Sequence, residues 1–301
     1  MINGIINVYK EKGYTSHDVV AKLRGILKQK KIGHTGTLDP DAEGVLPVCL
    51  GNATKLCDIL TDRSKTYQAV LLLGTTTDTQ DITGTVLSEK PVTAGEEEIR
   101  QAIMSFQGSY DQIPPMYSAL KIGGKRLYEL AREGIEVPRE ARKVEIHSIE
   151  IEDLNVLTGQ AILTVDCSKG TYIRTLCHDI GEQLGCGGCM KSLLRTRAGE
   201  FQINKSLKIS EIADKINEGN LDEYIRKADE MFAGYPSVNV RQEFDKLLYN
   251  GNFLSADQLV QGDAGISTEE RIRVYDWQGT FVGLYEGHPA EKIMKPYKMF
   301  L

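Results

Sequence analysis

The first apolar run, Ile5–Val8, predicts a short strand, and Thr15-Ser16-His17-Asp18 behind it has the pattern of a capping box at a helix N-terminus. Val19, Val20, Leu23, Ile26 and Leu27 then keep helical spacing, with Lys22, Arg24, Lys28, Lys30 and Lys31 mostly off that stripe. A second apolar run, Val45–Leu50, leads into a helix-like stretch, Ala53–Leu60, and a β-rich run, Tyr67–Leu73. The segment Gly33–Gly44, dense in Gly, Asp and Pro, is predicted as a loop. Further strands at Thr85–Leu87 and Ala161–Asp166 mix with helices at Glu96–Gln107, Arg126–Arg132 and Tyr172–Leu184, without the regular alternation of a doubly wound sheet. The expected class is α+β: a mixed, largely antiparallel sheet with flanking helices. A charged helical stretch is predicted for 209–236. Beyond it Arg271–Asp276, a turn at Trp277-Gln278-Gly279 and Thr280–Glu286 predict a hairpin in a small β-rich module.

Length and charge refine this pattern. A chain of 301 residues suits one large domain or a domain with a small appendage. No stretch approaches the roughly 18 apolar residues of a membrane span, and the N-terminus lacks the basic and apolar regions of a secretory leader, so the chain is read as cytoplasmic. Six cysteines in a chain this large are expected as buried thiols. Cys186-Gly-Gly-Cys189 could open a zinc site, but no second pair follows and the next histidine is His288, so no metal is expected. A net charge of -6 argues against a nucleic-acid partner until its distribution is read. Residues 1–208 hold 26 basic and 26 acidic side chains, whereas 209–301 hold 10 and 16. Basic clusters at 1–35 and 189–208 are available for phosphates, although a solvated helix face explains the first equally well.

The densest group of turn and functional residues is Gly33-His34-Thr35-Gly36-Thr37-Leu38-Asp39-Pro40-Asp41-Ala42-Glu43-Gly44-Val45-Leu46-Pro47. Three glycines and two prolines fix the backbone path, as a loop must when it holds a carboxylate for chemistry. The alternative is that Asp39 and Asp41 only close an Asx-turn around Pro40.

This segment, with Lys55 following, resembles the central motif of bacterial tRNA pseudouridine-55 synthases. The resemblance continues through Lys65-Thr66-Tyr67, Gly74–Asp81, Ile113–Lys121 and Cys167–Arg174, and spans about residues 3–208 in order. It implies a pseudouridine-synthase-like fold and an isomerisation of uridine in the tRNA T-loop. The C–N glycosidic bond breaks, the base rotates, and a C–C bond forms, with neither cofactor nor metal. It makes Asp39 the nucleophile, at the ribose or the base or in support of a glycal route, and Arg174 its ionic partner. It makes Tyr67 the residue that stacks on the base and a base at the sugar, extends the charge network to Asp81, and lines the base pocket with Leu193. Lys10 and Lys55 enter as support. On the residues alone, Tyr67 and Leu193 could be core, Arg174 an ordinary helix arginine and Asp81 a turn cap.

The same resemblance gives His34 the place of the flipped nucleotide, against the alternative of a loop-capping histidine. It also implies a basic, RNA-clamping insertion over about 112–145, with Lys121, Lys125, Arg126, Arg132, Arg139, Arg142 and Lys143, hinged at Gly123-Gly124; Arg195 is expected on RNA as well. The implied partner is the T-stem-loop of tRNA, bound by a monomer with no obligate protein partner and no membrane. The implied division is a catalytic domain over 1–208, a connector over 209–236 and a PUA-like module over 237–301. Where relatives carry Lys-Pro near the N-terminus this chain has Lys10-Glu11, which bears on backbone rigidity there. Two rival classes remain: a tRNA-binding protein without chemistry, and a magnesium-dependent phosphoryl-transfer enzyme using Asp39, Asp41, Asp78 and Asp81.

Overall fold

A computed structural model describes residues 1–262, 266 and 269–301. Strand β1 (Gly4–Lys10) is buried at every position but Tyr9, because layers cover both its faces. Helix α1 (Ser16–Leu27) starts as its sequence predicts: Thr15 Oγ1 accepts from the Asp18 backbone at 3.0 Å and Asp18 Oδ2 accepts from the Thr15 backbone at 2.8 Å. Such a cap stabilises a helix by about 1 kcal/mol. The expected Gly33–Gly44 loop is shorter than predicted, since β2 (Ile32–His34) and β3 (Glu43–Leu50) pair at its base. A 3-10 turn, Gly51–Leu56, runs into α2 (Cys57–Thr61) and then β4 (Lys65–Leu73), whose buried and half-buried positions alternate strictly.

The short hairpin β5 (Thr75–Thr77) and β6 (Val86–Glu89) precedes α3 (Glu96–Met104) and β7 (Gly108–Gln112). A second hairpin, β8 (Lys121–Ile122) and β9 (Lys125–Arg126), leads into α4 (Leu127–Arg132). The expected hinge Gly123-Gly124 is its two-residue turn, both φ positive, the conformation that tight hairpins require. Then come β10 (Arg142–Asn155), β11 (Gln160–Cys167), α5 (Ile173–Gln183), β12 (Gly188–Ala198) and β13 (Phe201–Gln202). The stretch expected as helical from 209 to 236 is helical at α6 (Ile209–Asn217), then short 3-10 turns flank β14 (Ile225–Arg226). Strand β14 pairs with β1, so its residues extend the main sheet.

That sheet runs β14-β1-β3-β12-β4-β11-β10-β7, with β2 on β3 and β13 on β12. Only β3 and β12 pair in parallel within it, so the expectation of a mixed, largely antiparallel sheet holds. Gly44 permits that junction: its φ is +105°, and a Cβ there would lie 2.2 Å from the Arg195 backbone oxygen. Directly paired residues form a row across the sheet, Lys10 to Gly44, Gly44 to Arg195 and Arg195 to Tyr67. Residues opposite one another in a ladder project to the same face, so these side chains share one side.

Three apolar cores cover the sheet. Helices α3 and α5 pack on β4, β10 and β11 through Ile99, Ile103, Leu176 and Ile180. Helices α1 and α6 cover β1 and β3 through Val19, Leu23, Ile209 and Ile212. On the other face of β1 and β3, Ile5, Val45 and Cys49 pack with Phe232, Leu284 and Phe300. The last two belong to the C-terminal unit, where β15 (Ser237–Asn239), α7 (Asp245–Tyr249), β16 (Leu254–Ser255), β17 (Arg271–Tyr275), β18 (Phe281–His288) and β19 (Ile293–Met299) surround a core of their own. The predicted hairpin is β17 and β18. Among the described residues no helix is long and apolar enough to cross a membrane.

Candidate active site

The loop between β2 and β3 is held from below and from the side. Lys10, fully buried, donates to the carbonyls of Pro40 at 3.1 Å and Ala42 at 2.5 Å. Burial pushes its ammonium down to about 8, against the pull of Asp39 and Glu43. Ser16 on α1 accepts from the Leu38 backbone at 3.0 Å, and Thr35 donates to the Pro47 carbonyl at 3.1 Å. The turn over Asp39 is closed by backbone, with the Ala42 amide donating to the Asp39 carbonyl at 3.1 Å. The Asp39 carboxylate is therefore free to point elsewhere, and the Asx-turn reading gives way.

It points to Arg174, at the start of α5. Arg174 Nε lies 3.0 Å from Oδ2 and Nη2 lies 3.4 Å from Oδ1. The guanidinium also donates to the carbonyls of Thr79 at 3.0 Å and Tyr117 at 2.7 Å, and its Nη1 is 3.7 Å from Asp81. Arg174 was expected off the helix's apolar stripe, and it is buried: its side chain keeps 6% of its surface because polar atoms from three loops enclose it. Asp39 keeps 40% of its side-chain surface, so its outer edge is open. Enclosure of the carboxyl still pushes it above the usual carboxylate range; Arg174 opposes that shift most strongly, Asp81 adds to it and Lys10 opposes it. Asp81 Oδ1 accepts from Thr79 and Thr83 within the turn, and the carboxylate also faces Arg174.

Asp39, Arg174 and Leu193 lie on a wall common to two cavities of about 830 and 600 Å³. The larger is lined by Lys12, Lys121, Arg126, Tyr128 and Arg132; the smaller by Lys65, Tyr67, Arg142, Lys143, Lys169 and Arg195. Tyr67 ends the apolar row Ala69, Leu71, Leu73 of β4, so it is at once the last core residue and the floor of the smaller cavity. Burial pushes its phenol up, and Arg195 opposes the shift. In the larger cavity two guanidinium groups lie near the Tyr128 ring, Arg126 at 5.7 Å and Arg132 at 5.4 Å from its centre. Cationic groups around a half-buried aromatic ring on a cavity wall suit a nucleotide and its phosphates. Lys125 stands outside both walls, 3.5 Å from Glu133, and Arg139 is tied to the Pro114 carbonyl.

Two expected positions are corrected. Arg195 is 1% exposed, with Nε donating to the Val45 carbonyl at 2.7 Å, so it cannot meet RNA phosphates at the surface. Its basic neighbours in sequence suggested a surface cluster, whereas its place in the central parallel junction buries it. Lys55 turns away from the site and donates to the Leu301 carbonyl at 3.1 Å. His34 has the loop contact of the simpler reading, Nδ1 with the Gly36 carbonyl at 3.1 Å, and packs edge-on against His17 at 5.2 Å. The Glu11 backbone carbonyl accepts from Lys10 at 3.4 Å, and its carboxylate lies 3.9 Å from Lys208.

The four aspartates of the magnesium reading do not converge: Asp78 accepts from the Thr85 backbone at 2.7 Å and Asp41 pairs with Lys12 at 3.8 Å. Among the described residues no three His, Cys, Asp or Glu side chains gather as a metal site, at Cys186 and Cys189 or elsewhere. The six thiols are free. Sequence reasoning missed the carbonyls of Thr79 and Tyr117, which carry no side-chain signal. It also missed Ser16, hidden inside its capping motif, and Lys65, a buried lysine pushed down to about 8.

Residues 24–173 match the TruB family pseudouridylate synthase (N terminal domain), and 174–233 match the tRNA pseudouridylate synthase B C-terminal domain. The chain is 52% identical over 307 residues to a tRNA pseudouridine synthase B of Lachnoclostridium phytofermentans, covering 100% of both. It is 43% identical to one of Bacillus pumilus, covering 99% of this chain and 98% of the relative. Among solved structures, a chain of a Cbf5-Nop10-Gar1 complex superposes with a TM-score of 0.71 at 27% identity, covering 99% of this chain and 85% of that one.

Proposed function

The chain belongs to the TruB family of pseudouridylate synthases and is an isomerase of uridine in tRNA; from that premise we propose that it acts at position 55, in the T-loop, with Asp39 as nucleophile. One observation carries the assignment of Asp39: a carboxylate gripped at 3.0 and 3.4 Å by a buried guanidinium, yet open along 40% of its side chain to a cavity. A fixed, permanently charged partner favours the ionised form and aims it. A single ionised carboxylate suits a sugar carbon that becomes electron-poor as the base departs. Bond breaking and bond making at the same base leave no change in redox state.

The uridine must leave the stack of the folded T-loop to reach this carboxylate. Tyr67 and Leu193 supply the faces against which a flipped base rests, and His34, paired with His17 beside the loop, fills the space that it leaves. Lys121, Arg126, Arg132, Arg142 and Lys143 bind phosphates around the two cavities, and Lys125, outside both walls, adds to the same basic clamp over about 112–145. Asp81 and Lys10 are positioning residues, one acting on Arg174 and the other on the loop backbone. Residues 1–208 form the catalytic domain, 209–236 a connector and 237–301 a PUA-like module, and the chain acts on tRNA as a monomer without a protein partner.

Incubation with an unmodified tRNA transcript, followed by mapping of pseudouridine, tests this reading. Conversion of uridine 55 by the wild type and none by Asp39→Asn, with tRNA affinity within about threefold, is the expected result, since phosphate contacts supply the binding. Undiminished turnover by Asp39→Asn would overturn it.

A further inference from the structure

Arg195 has no place in the roles assigned so far, yet it is the largest fully buried side chain of the molecule. It stands in β12, the central strand of the sheet, directly opposite Tyr67 on β4 and opposite Gly44 on β3. Gly44 has no side chain, so the guanidinium lies in the gap between Lys10 and Tyr67 on one face of the sheet. Its Nε is satisfied by the Val45 carbonyl, and its Nη2 is buried with no hydrogen-bond partner. A buried donor without an acceptor is costly, and a catalytic role is one of the few reasons for a fold to keep one.

The acceptor at hand is the Tyr67 phenol. As a base a tyrosine acts as the phenolate: it takes one proton from the sugar, becomes the neutral phenol, and returns that proton as the sugar is restored. Burial disfavours the phenolate, as do the facing groups Asp39 in the loop and Cys167 on β11; Arg195 is the neighbour that favours it. Lys10 on β1, Lys65 on β4 and His34 on β2 face the guanidinium in turn, and none offers it a carboxylate.

We propose that Arg195 is the positioning residue of Tyr67: its unfilled Nη2–H is the donor that receives the negative charge of the phenolate when Tyr67 works as a base. This rests on the reading of Tyr67 given above. A donor fixed before the charge appears needs no reorganisation when it does, which is the most effective form of electrostatic assistance in a water-poor site.

Single-turnover pseudouridine formation is to be compared across pH for wild type, Arg195→Gln, Arg195→Lys, Tyr67→Phe and the double variant Tyr67→Phe/Arg195→Gln. Arg195→Gln is expected to lower the rate about tenfold or more at neutral pH, because the phenolate loses the neighbour that favours it, while tRNA affinity stays within about threefold. That deficit, taken as a ratio to wild type at each pH, narrows as pH rises, because hydroxide then supplies the phenolate. Arg195→Lys, which keeps the cation, recovers part of the rate. The double variant is no slower than Tyr67→Phe. A deficit equal at every pH, or a double variant slower than Tyr67→Phe by the whole Arg195→Gln factor, would leave Arg195 a merely structural residue. If Arg195→Gln does not fold, Arg195→Lys combined with Tyr67→Phe carries the same comparison. Wild-type turnover by Tyr67→Phe would instead sink the reading of Tyr67 itself.

Discussion

Arg174 grips Asp39 through two nitrogens, Nε on Oδ2 and Nη2 on Oδ1, while Nη1 and Nη2 also donate to the carbonyls of Thr79 and Tyr117. The guanidinium is thus fixed by backbone atoms of two separate loops before it touches the carboxylate, so the pair has one geometry.

Replacing that fork by a single ammonium tests the geometry. Arg174→Lys keeps the charge and loses the two-point grip and the carbonyl contacts, and turnover is expected to fall about a hundredfold or more with tRNA binding within about threefold. Single-turnover rates and filter binding check it; a loss confined to binding would count against a role in aiming Asp39.

The acid side of the pH profile reports Asp39. Its carboxyl is held above the usual carboxylate range, chiefly by enclosure, and the working form is ionised. Turnover should therefore be lost as pH falls through that raised value, starting at a higher pH than an exposed aspartate would give. Retention of full turnover down to the ordinary carboxylate range would contradict the assignment.

Lys10 makes a prediction about stability. Its ammonium titrates at about 8 in the folded chain against an ordinary value of 10.5, so between these values the unfolded chain binds more protons and stability rises with pH. Below about 8 both states are protonated and the penalty for the buried charge is present in full. In Lys10→Met this rise is absent, while Lys65, also at about 8, contributes equally to both proteins. Urea midpoints on either side of the window, compared between wild type and variant, measure it; parallel pH dependence would refute it.

His34 is held below its ordinary value by burial and by the nearby charges of His17 and Arg195, so it is neutral at physiological pH. A neutral ring that fills the place of a flipped nucleotide matters most when the T-loop is folded. His34→Ala should cost intact tRNA more turnover, by about tenfold, than it costs an unstructured T-loop fragment. Equal losses on both substrates would remove the flipping role.

The sequence made the strands and helices with strong periodicity legible, because burial on one face writes the pattern: β4 alternates as expected, and α1 begins at its capping box. Asp39 stood out in its dense turn segment, where closing an Asx-turn was an equal alternative until the backbone was seen to close the turn. The burial of Arg195 was not, since it depends on a parallel pairing between β3 and β12, about 150 residues apart in sequence, and on a glycine that lets them approach. Charge misled at Arg195, where a basic side chain suggested RNA and the fold supplied a carbonyl instead, and Lys55, expected as support for the site, is spent on the Leu301 carbonyl. Charge also suggested continuous helix over 209–236, whereas β14 is recruited as an edge by β1, a contact no local pattern encodes.

The aromatic contact of Phe232 with Phe281 and Phe300 lies under β1 and β3, the strands that carry Lys10 and the start of the Asp39 loop's far arm. Cutting the chain near residue 236 would therefore strip cover from Ile5, Val45 and Cys49 as well as remove a terminal unit. A truncated enzyme would carry every residue of its chemistry and still present a greasy underside, prone to self-association. Whatever the last sixty or so residues do for RNA, they also act as a fitted lid on the back of the catalytic sheet, so Leu284 and Phe300 help to decide whether the chain's first strand stays in place.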